Sequence, residues 1–220
     1  KDAVVHRMSG MDKRGQKWAK RILLKNLRAG IQAKTVNKVW PGLIPGFAVM
    51  LAYPLETSHD GDQIHIDGEV KYPVRLEPKL DGLRCIAIKE NGRVTMFTRN
   101  GREINTLPTI RAALEKAPYD DIVLDGEAMG DDWNESASIV GSKKNKKDDS
   151  NIIFNVFDAV LLEDWTSQEC EVPLEKRLGT IKSVVLCCRS DDPVRAVEGV
   201  TVETEEELME FYEKCLDEDF

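Results

Sequence analysis

The sequence predicts an α+β fold, in which an antiparallel sheet with intervening helices follows a short helical segment. Three observations predict it. Two runs that alternate apolar and polar residues, Leu83–Lys89 and Arg93–Thr98, flank Asn91-Gly92, and both central residues of a type I′ hairpin turn need positive φ. Downstream, Ile122–Glu127 and Ile152–Leu162 read as strands, the second partly apolar on both faces, as in a strand covered on two sides. At the other end of the chain, Trp18, Ile22, Leu23 and Leu27 recur at helical spacing with basic residues between them.

Taken in order, residues 16–28 form a helix that Gly30 closes, and a second short helix covers Thr35–Val39. Pro41, Pro45 and Pro54 mark a non-helical connection, which places a boundary between residues 1–45 and 46–220. Residues 56–72, rich in Gly and Asp, read as a surface loop or short hairpin. After the Asn91-Gly92 hairpin comes a helix over Leu107–Lys116, stopped by Pro118, and then the buried strand Ile122–Glu127. KKNKKDDS (143–150) is a charged loop. A helix from Leu174 to Val185 enters through Pro173, a strand spans Ala196–Val202, and Thr204 with Glu207 forms a capping box that opens a last helix.

Composition narrows the function. The 220 residues are 41% hydrophobic and 32% charged, the balance of a globular chain, and no run approaches the roughly 20 apolar residues needed to span a bilayer. Five cysteines without a C-x-x-C pair, and His6, His59 and His65 in polar sequence, exclude a disulfide framework and a zinc site. The cysteine pattern points to reduced thiols in a cytoplasmic setting. The net charge of −8 hides an asymmetry: residues 1–45 hold eleven Lys or Arg against Asp2 and Asp12, so the remainder carries −17. A basic arm on an acidic body points to a polyanionic partner, with nucleic acid foremost because backbone phosphates reward clustered cations.

Three residues stand out chemically, each near a strand end: Lys79, between a proline and an Asp-Gly corner, Glu127 and Phe157. A cation, a carboxylate and an aromatic ring at a sheet rim suit a nucleotide pocket. Each alone has a plainer reading, as a turn lysine, a turn acid and a core ring.

Together they resemble a family. EPKLDGLR matches the K-x-D-G-x-R signature of nucleotidyltransferases that adenylate or guanylate their own lysine. In order follow the Thr98-Arg99-Asn100-Gly101 turn, LDGEAM, similar to a D-G-E motif, and FNVFDAV, similar to the motif with an aromatic before Asp158. Upstream, KRILLKNLRAG and TVNKVWPGLIP are similar to the end of the helical DNA-binding domain of ATP-dependent DNA ligases, especially those of bacteriophages. The resemblance covers residues 16–160 well and the rest loosely.

It implies an adenylation domain with an ATP-grasp-like antiparallel sheet, behind the last helices of a DNA-binding domain. It also implies ATP and Mg2+ as cofactors, nicked duplex DNA as partner, a monomer, and roles in replication, repair and recombination. Lys79 would be the nucleophile that carries AMP, and Glu77 would read the adenine. Leu80 would line the pocket, and Asp81 would support the lysine loop. Arg84 would contact ribose or phosphate, and Arg99 would hold the 5′-phosphate of the nick. Glu127 would bind the ribose or the metal, and Phe157 would stack on adenine. Lys20, Lys25 and Arg28 join Arg99 as DNA contacts. An amine with the ordinary pKa of about 10.4 is protonated at neutral pH, so the pocket has to free it by desolvation or nearby cations.

The match also breaks. The family's next motif, Glu-Gly before a hydrophobic run and lysine, is not reached before Phe220, and neither is its K-x-K motif or its oligonucleotide-binding domain. The expectation is a fragment of a longer ligase with little sealing activity by itself. The alternatives are an RNA ligase or an mRNA-capping guanylyltransferase of the same superfamily, or a non-catalytic DNA-binding fragment.

Overall fold

The computed structural model describes residues 2–23, 33–40, 47, 49–51, 55, 57–60, 63–66, 70–142 and 148–218. The chain divides into two units, Lys1–Gly46 and Phe47–Phe220.

In the first unit, α1 (Asp2–Ser9) adds a helix that the sequence did not announce, and it places His6 on a helix rather than in a loop. α2 (Lys13–Leu23) starts three residues earlier than expected, because the Asp12 carboxylate accepts the Gly15 N–H at 2.6 Å and caps the first turn. The expected continuation, with Lys25, Arg28 and Gly30, lies outside the described residues. None of the described α2 side chains is buried. Ile22 and Leu23 are more than half exposed, and Arg21 lies over the Trp18 ring at 5.0 Å. The apolar stripe expected to pack is therefore uncovered among the described residues. α3 (Ala33–Val39) follows.

The second unit begins with the hairpin of β1 (Thr57–Asp60) and β2 (Gln63–Ile66), then β3 (Val74–Leu76). β4 (Leu83–Glu90) and β5 (Arg93–Thr98) pair antiparallel across Asn91 and Gly92, whose φ values of 52° and 73° are those a type I′ turn needs. The order continues with β6 (Glu103–Ile104), α4 (Pro108–Lys116), β7 (Ile122–Met129) and α5 (Trp133–Gly141). Last come β8 (Ile153–Leu161), α6 (Leu162–Ser167), α7 (Leu174–Cys187), β9 (Val194–Ala196), β10 (Val200–Val202) and α8 (Glu205–Asp217).

The six-stranded sheet runs β6-β5-β4-β7-β8-β9, antiparallel except for the parallel β8–β9 pair. β3 and β10 form a separate antiparallel pair. The single strand expected over 196–202 is thus two strands in two sheets. β9 ends at Ala196, and Val197 N–H still donates to the Val156 carbonyl of β8 at 2.9 Å. The chain then passes through Gly199, whose carbonyl accepts from Arg75 at 3.2 Å, before Val200 pairs with Leu76. α5 and α6 were not foreseen either. Ser136, which accepts from Gly130 N–H and donates to the Asp132 carbonyl, ties down the start of α5. Glu163 and Asp164 in the first turn of α6 favour a helix start where the strand pattern had run on to Leu162. The capping box opens α8 in a modified form: Thr204 accepts from Glu207 N–H at 3.3 Å, while the Glu207 carboxylate reaches back to Glu203 N–H at 2.7 Å.

Alternation sorts the sheet into two faces. One packs Cys85, Met96, Leu124 and Phe154 against Ile110 of α4 and Ile181 of α7 as the buried core. Lys89 is on this face, 6% exposed, and its ammonium donates to the carbonyls of Leu114, Glu115 and Ala117 at 2.9, 3.0 and 2.5 Å, closing the C-terminus of α4. The opposite face carries Arg84, Asp125, Glu127 and Phe157.

Candidate active site

Residues 77–82 link β3 to β4 without regular structure, and β10 holds the entry to this link through its pairing with Val74–Leu76. At the exit, Gly82 runs so close to β7 that a Cβ there would meet the Ala128 carbonyl and the Met129 Cβ at 2.8 Å and the Glu127 Cγ at 2.9 Å. Only a residue without a side chain lets the loop pass. The Gly82 backbone amide also favours the charged form of Glu127, which couples the lysine loop to the acidic strand. Between these anchors Lys79 is exposed to solvent at the rim.

One cleft of about 810 Å³ brings together Glu77, Lys79, Leu80, Arg84, Arg99, Glu127 and Phe157, with Met50, Leu51, Thr98, Asn100 and Val197 also in its walls. Asp81 lies in the loop and is exposed. Arg99 is placed by a tight turn in which Thr98 C=O accepts from Gly101 N–H and Thr98 N–H donates to Arg102 C=O, both at 2.8 Å. Lys20 belongs to the other unit, and Lys25 and Arg28 lie outside the described residues.

Arg84 opposes Glu127 in register but reaches diagonally to Asp125, donating from Nε at 2.9 Å and from Nη2 at 2.5 Å, while its guanidinium lies 5.5 Å from the centre of the Phe157 ring. Phe157 owes its place to an irregularity. The β7–β8 register slips between Asp125 and Gly126, leaving Phe157 as an extra residue, so Asn155, Phe157 and Asp158 all come to the same face. Glu77 accepts from Arg75 Nε at 2.7 Å.

The electrostatics follow from burial. Desolvation raises the Glu127 carboxyl to about 6, with the Gly82 hydrogen bond, Arg84 and Lys79 opposing the rise. Burial also raises Asp125, against the pull of Arg84, and the Asp125 hydrogen bond in turn raises Arg84. No cluster of three His, Cys, Asp or Glu able to hold a metal occurs among the described residues. Glu77 and Glu127 are the carboxylates in the walls of the cleft with Lys79.

Sequence reasoning passed over Arg75, Asp125, Asp158 and Arg177. Asp125 and Asp158 stood inside quoted motifs, yet nothing local says that each takes an arginine. Arg177 left no signal, since it meets Asp158 only through the packing of α7 on β8.

Fold and cleft together are those of a nucleotidyltransferase domain. Residues 50–220 match the family described as ATP dependent DNA ligase domain, and the chain belongs to that family. It is 31% identical over 120 residues to the DNA ligase of Enterobacteria phage T4, a match that covers 50% of this chain and 23% of the relative. Among solved structures, one described as Pmar-Lig_Pre superposes with a TM-score of 0.72 at 23% identity, covering 94% of this chain and 50% of that one. The ATP-dependent DNA ligase from bacteriophage T7, in complex with ATP, gives a TM-score of 0.52 at 20% identity, covering 64% and 52%. The chain thus matches about a quarter of its curated phage relative and about half of these structures. Among the described residues, no helix is long and apolar enough to cross a membrane.

Proposed function

We propose that this chain supplies the lysine-adenylating cleft of an ATP-dependent DNA ligase that seals nicks in duplex DNA. The observation that carries this reading is the convergence of Lys79, Glu77, Arg84, Arg99, Glu127 and Phe157 on one cleft, from segments up to 80 residues apart in sequence. Lys79 Nζ attacks the α-phosphorus of ATP; the N–P bond forms, the bond to the bridging oxygen breaks, and pyrophosphate leaves with those electrons. Phe157 stacks on the base, and Arg84, 5.5 Å from the ring centre, contacts ribose or phosphate. Glu77 faces the base edge and Glu127 the ribose. AMP then passes to the 5′-phosphate of a nick, which Arg99 holds at the rim, and the 3′-hydroxyl attacks that phosphate and releases AMP. Lys20, with Lys25 and Arg28, lays the basic arm along the duplex.

A magnesium ion commonly takes one or two carboxylates and completes its shell with water and substrate phosphates. Of the two cleft carboxylates, Glu77 is engaged by Arg75 and Glu127 would be the one to hold such an ion, which would offset charge on the leaving group.

The test is covalent label transfer from ATP radiolabelled at the α-phosphate. Label should appear on the wild-type chain with ATP and not with GTP, and should disappear in Lys79→Ala. Label that survives Lys79→Ala, or transfer from GTP alone, would overturn the reading.

A further inference from the structure

Asp125 and Asp158 face each other directly across β7 and β8, and both are buried, at 8% and 6% exposure. Like charges in that position repel. Each is matched by its own arginine, Asp125 by Arg84 from β4 and Asp158 by Arg177 from α7. Arg177 donates from Nε to one Asp158 oxygen at 2.7 Å and from Nη2 to the other at 3.2 Å, and its remaining nitrogen donates to the Val172 carbonyl. The two arginines serve different spaces. Arg84 lines the nucleotide cleft, whereas Arg177 lines a separate cavity of about 380 Å³ into which Asp125 and Asp158 also face.

We propose that Arg177 is a positioning residue for the nucleotide cleft: by neutralising Asp158 it keeps Arg84 on Asp125 and the Phe157 ring in place. The proposal rests on the cleft being the ATP site. Its physical content is competition for one cation. Phe157 and Asp158 are consecutive at the β8 irregularity, so a shift of either moves the other. Asp158 already acts electrostatically on Arg84. With Arg177 removed, a buried Asp158 that keeps the Ala159 N–H at 2.8 Å but has lost its cation draws the Arg84 fork away from Asp125 and from the ring.

The experiment compares wild type, Arg177→Gln, and Arg177→Gln combined with Asp158→Asn. Two readouts are used: ATP affinity by titration calorimetry, and the nucleotide-free fluorine NMR resonance of fluorophenylalanine at position 157, assigned with Phe157→Leu. Arg177→Gln should move that resonance and weaken ATP binding about tenfold, given the cost of stripping one partner from a buried pair. Adding Asp158→Asn removes the surplus charge and should return both readouts close to wild type. If Arg177 merely anchored α7 through Val172, the second substitution would repair nothing. An unmoved resonance in Arg177→Gln, or a double variant no better than the single one, overturns the proposal. A wild-type chain that binds no ATP overturns the nucleotide reading of the cleft, while the resonance still decides whether Arg177 sets the ring.

Discussion

Arg84 opposes Glu127 across β4 and β7, yet both of its hydrogen bonds run diagonally to Asp125, at 2.9 and 2.5 Å. This leaves the Glu127 carboxylate to the cleft, and the guanidinium lies beside Phe157. Lysine cannot reproduce a planar fork that grips a carboxylate and lies beside a ring. Arg84→Lys should therefore weaken ATP binding by about tenfold with the fold intact, measured by calorimetry with circular dichroism as control.

Glu127 supplies a pH dependence. Burial raises its carboxyl to about 6, so Glu127 gains its negative charge as pH rises through that value. Label transfer to Lys79 should fall as pH drops below about 6, and Glu127→Gln should lose that limb of the profile along with most of the activity. The stability effect has the opposite sense. The folded carboxyl holds its proton above the ordinary value of 4.5, so the folded state binds more protons between 4.5 and about 6. This group's contribution to stability therefore declines as pH rises through that window, which urea titrations of wild type and Glu127→Gln would resolve.

Gly82 is a steric requirement. An alanine Cβ would press on backbone and side-chain atoms of β7 at 2.8–2.9 Å. Gly82→Ala should destabilise the chain by about 1–3 kcal/mol, as overpacking does. It should also cut label transfer more than ATP affinity, because the strain falls on the loop that holds Lys79.

Lys89 tests the core rather than the cleft. Its buried ammonium satisfies three carbonyls at the end of α4. Lys89→Met keeps the length of the side chain but removes the donor from those carbonyls, of which Leu114 keeps the Ala117 N–H, a loss of about 2–3 kcal/mol in denaturant unfolding.

The basic arm is tested by salt. Lys13, Arg14, Lys17, Lys20 and Arg21 all lie on α2. Duplex affinity should fall steeply with ionic strength, and replacing Lys17, Lys20 and Arg21 with Gln should flatten the log–log slope by about 0.9 for each phosphate no longer neutralised. An affinity indifferent to salt would assign the arm to packing.

Much of this protein was legible in its residues. Alternation, the Asn91-Gly92 turn and the Thr204 cap are properties of short stretches, where periodicity and turn chemistry decide, whereas Lys79, Glu127 and Phe157 each had a plainer local reading and stood out through the resemblance of their motifs. The ends of elements were less so: α5 rests on Ser136 bonding within its own first turn, and the strand expected over 196–202 divides between two sheets. Only the tertiary structure decided which carboxylate each arginine takes. Arg84 and Asp125 are 41 residues apart and Arg177 and Asp158 are 19, and their pairing depends on sheet register, on one slipped residue beside Gly126 and on the placement of α7. A side chain's type is written in the sequence, but its partner is whichever group the folded backbone carries within reach. For a buried charge, that choice governs both its energy and its chemistry.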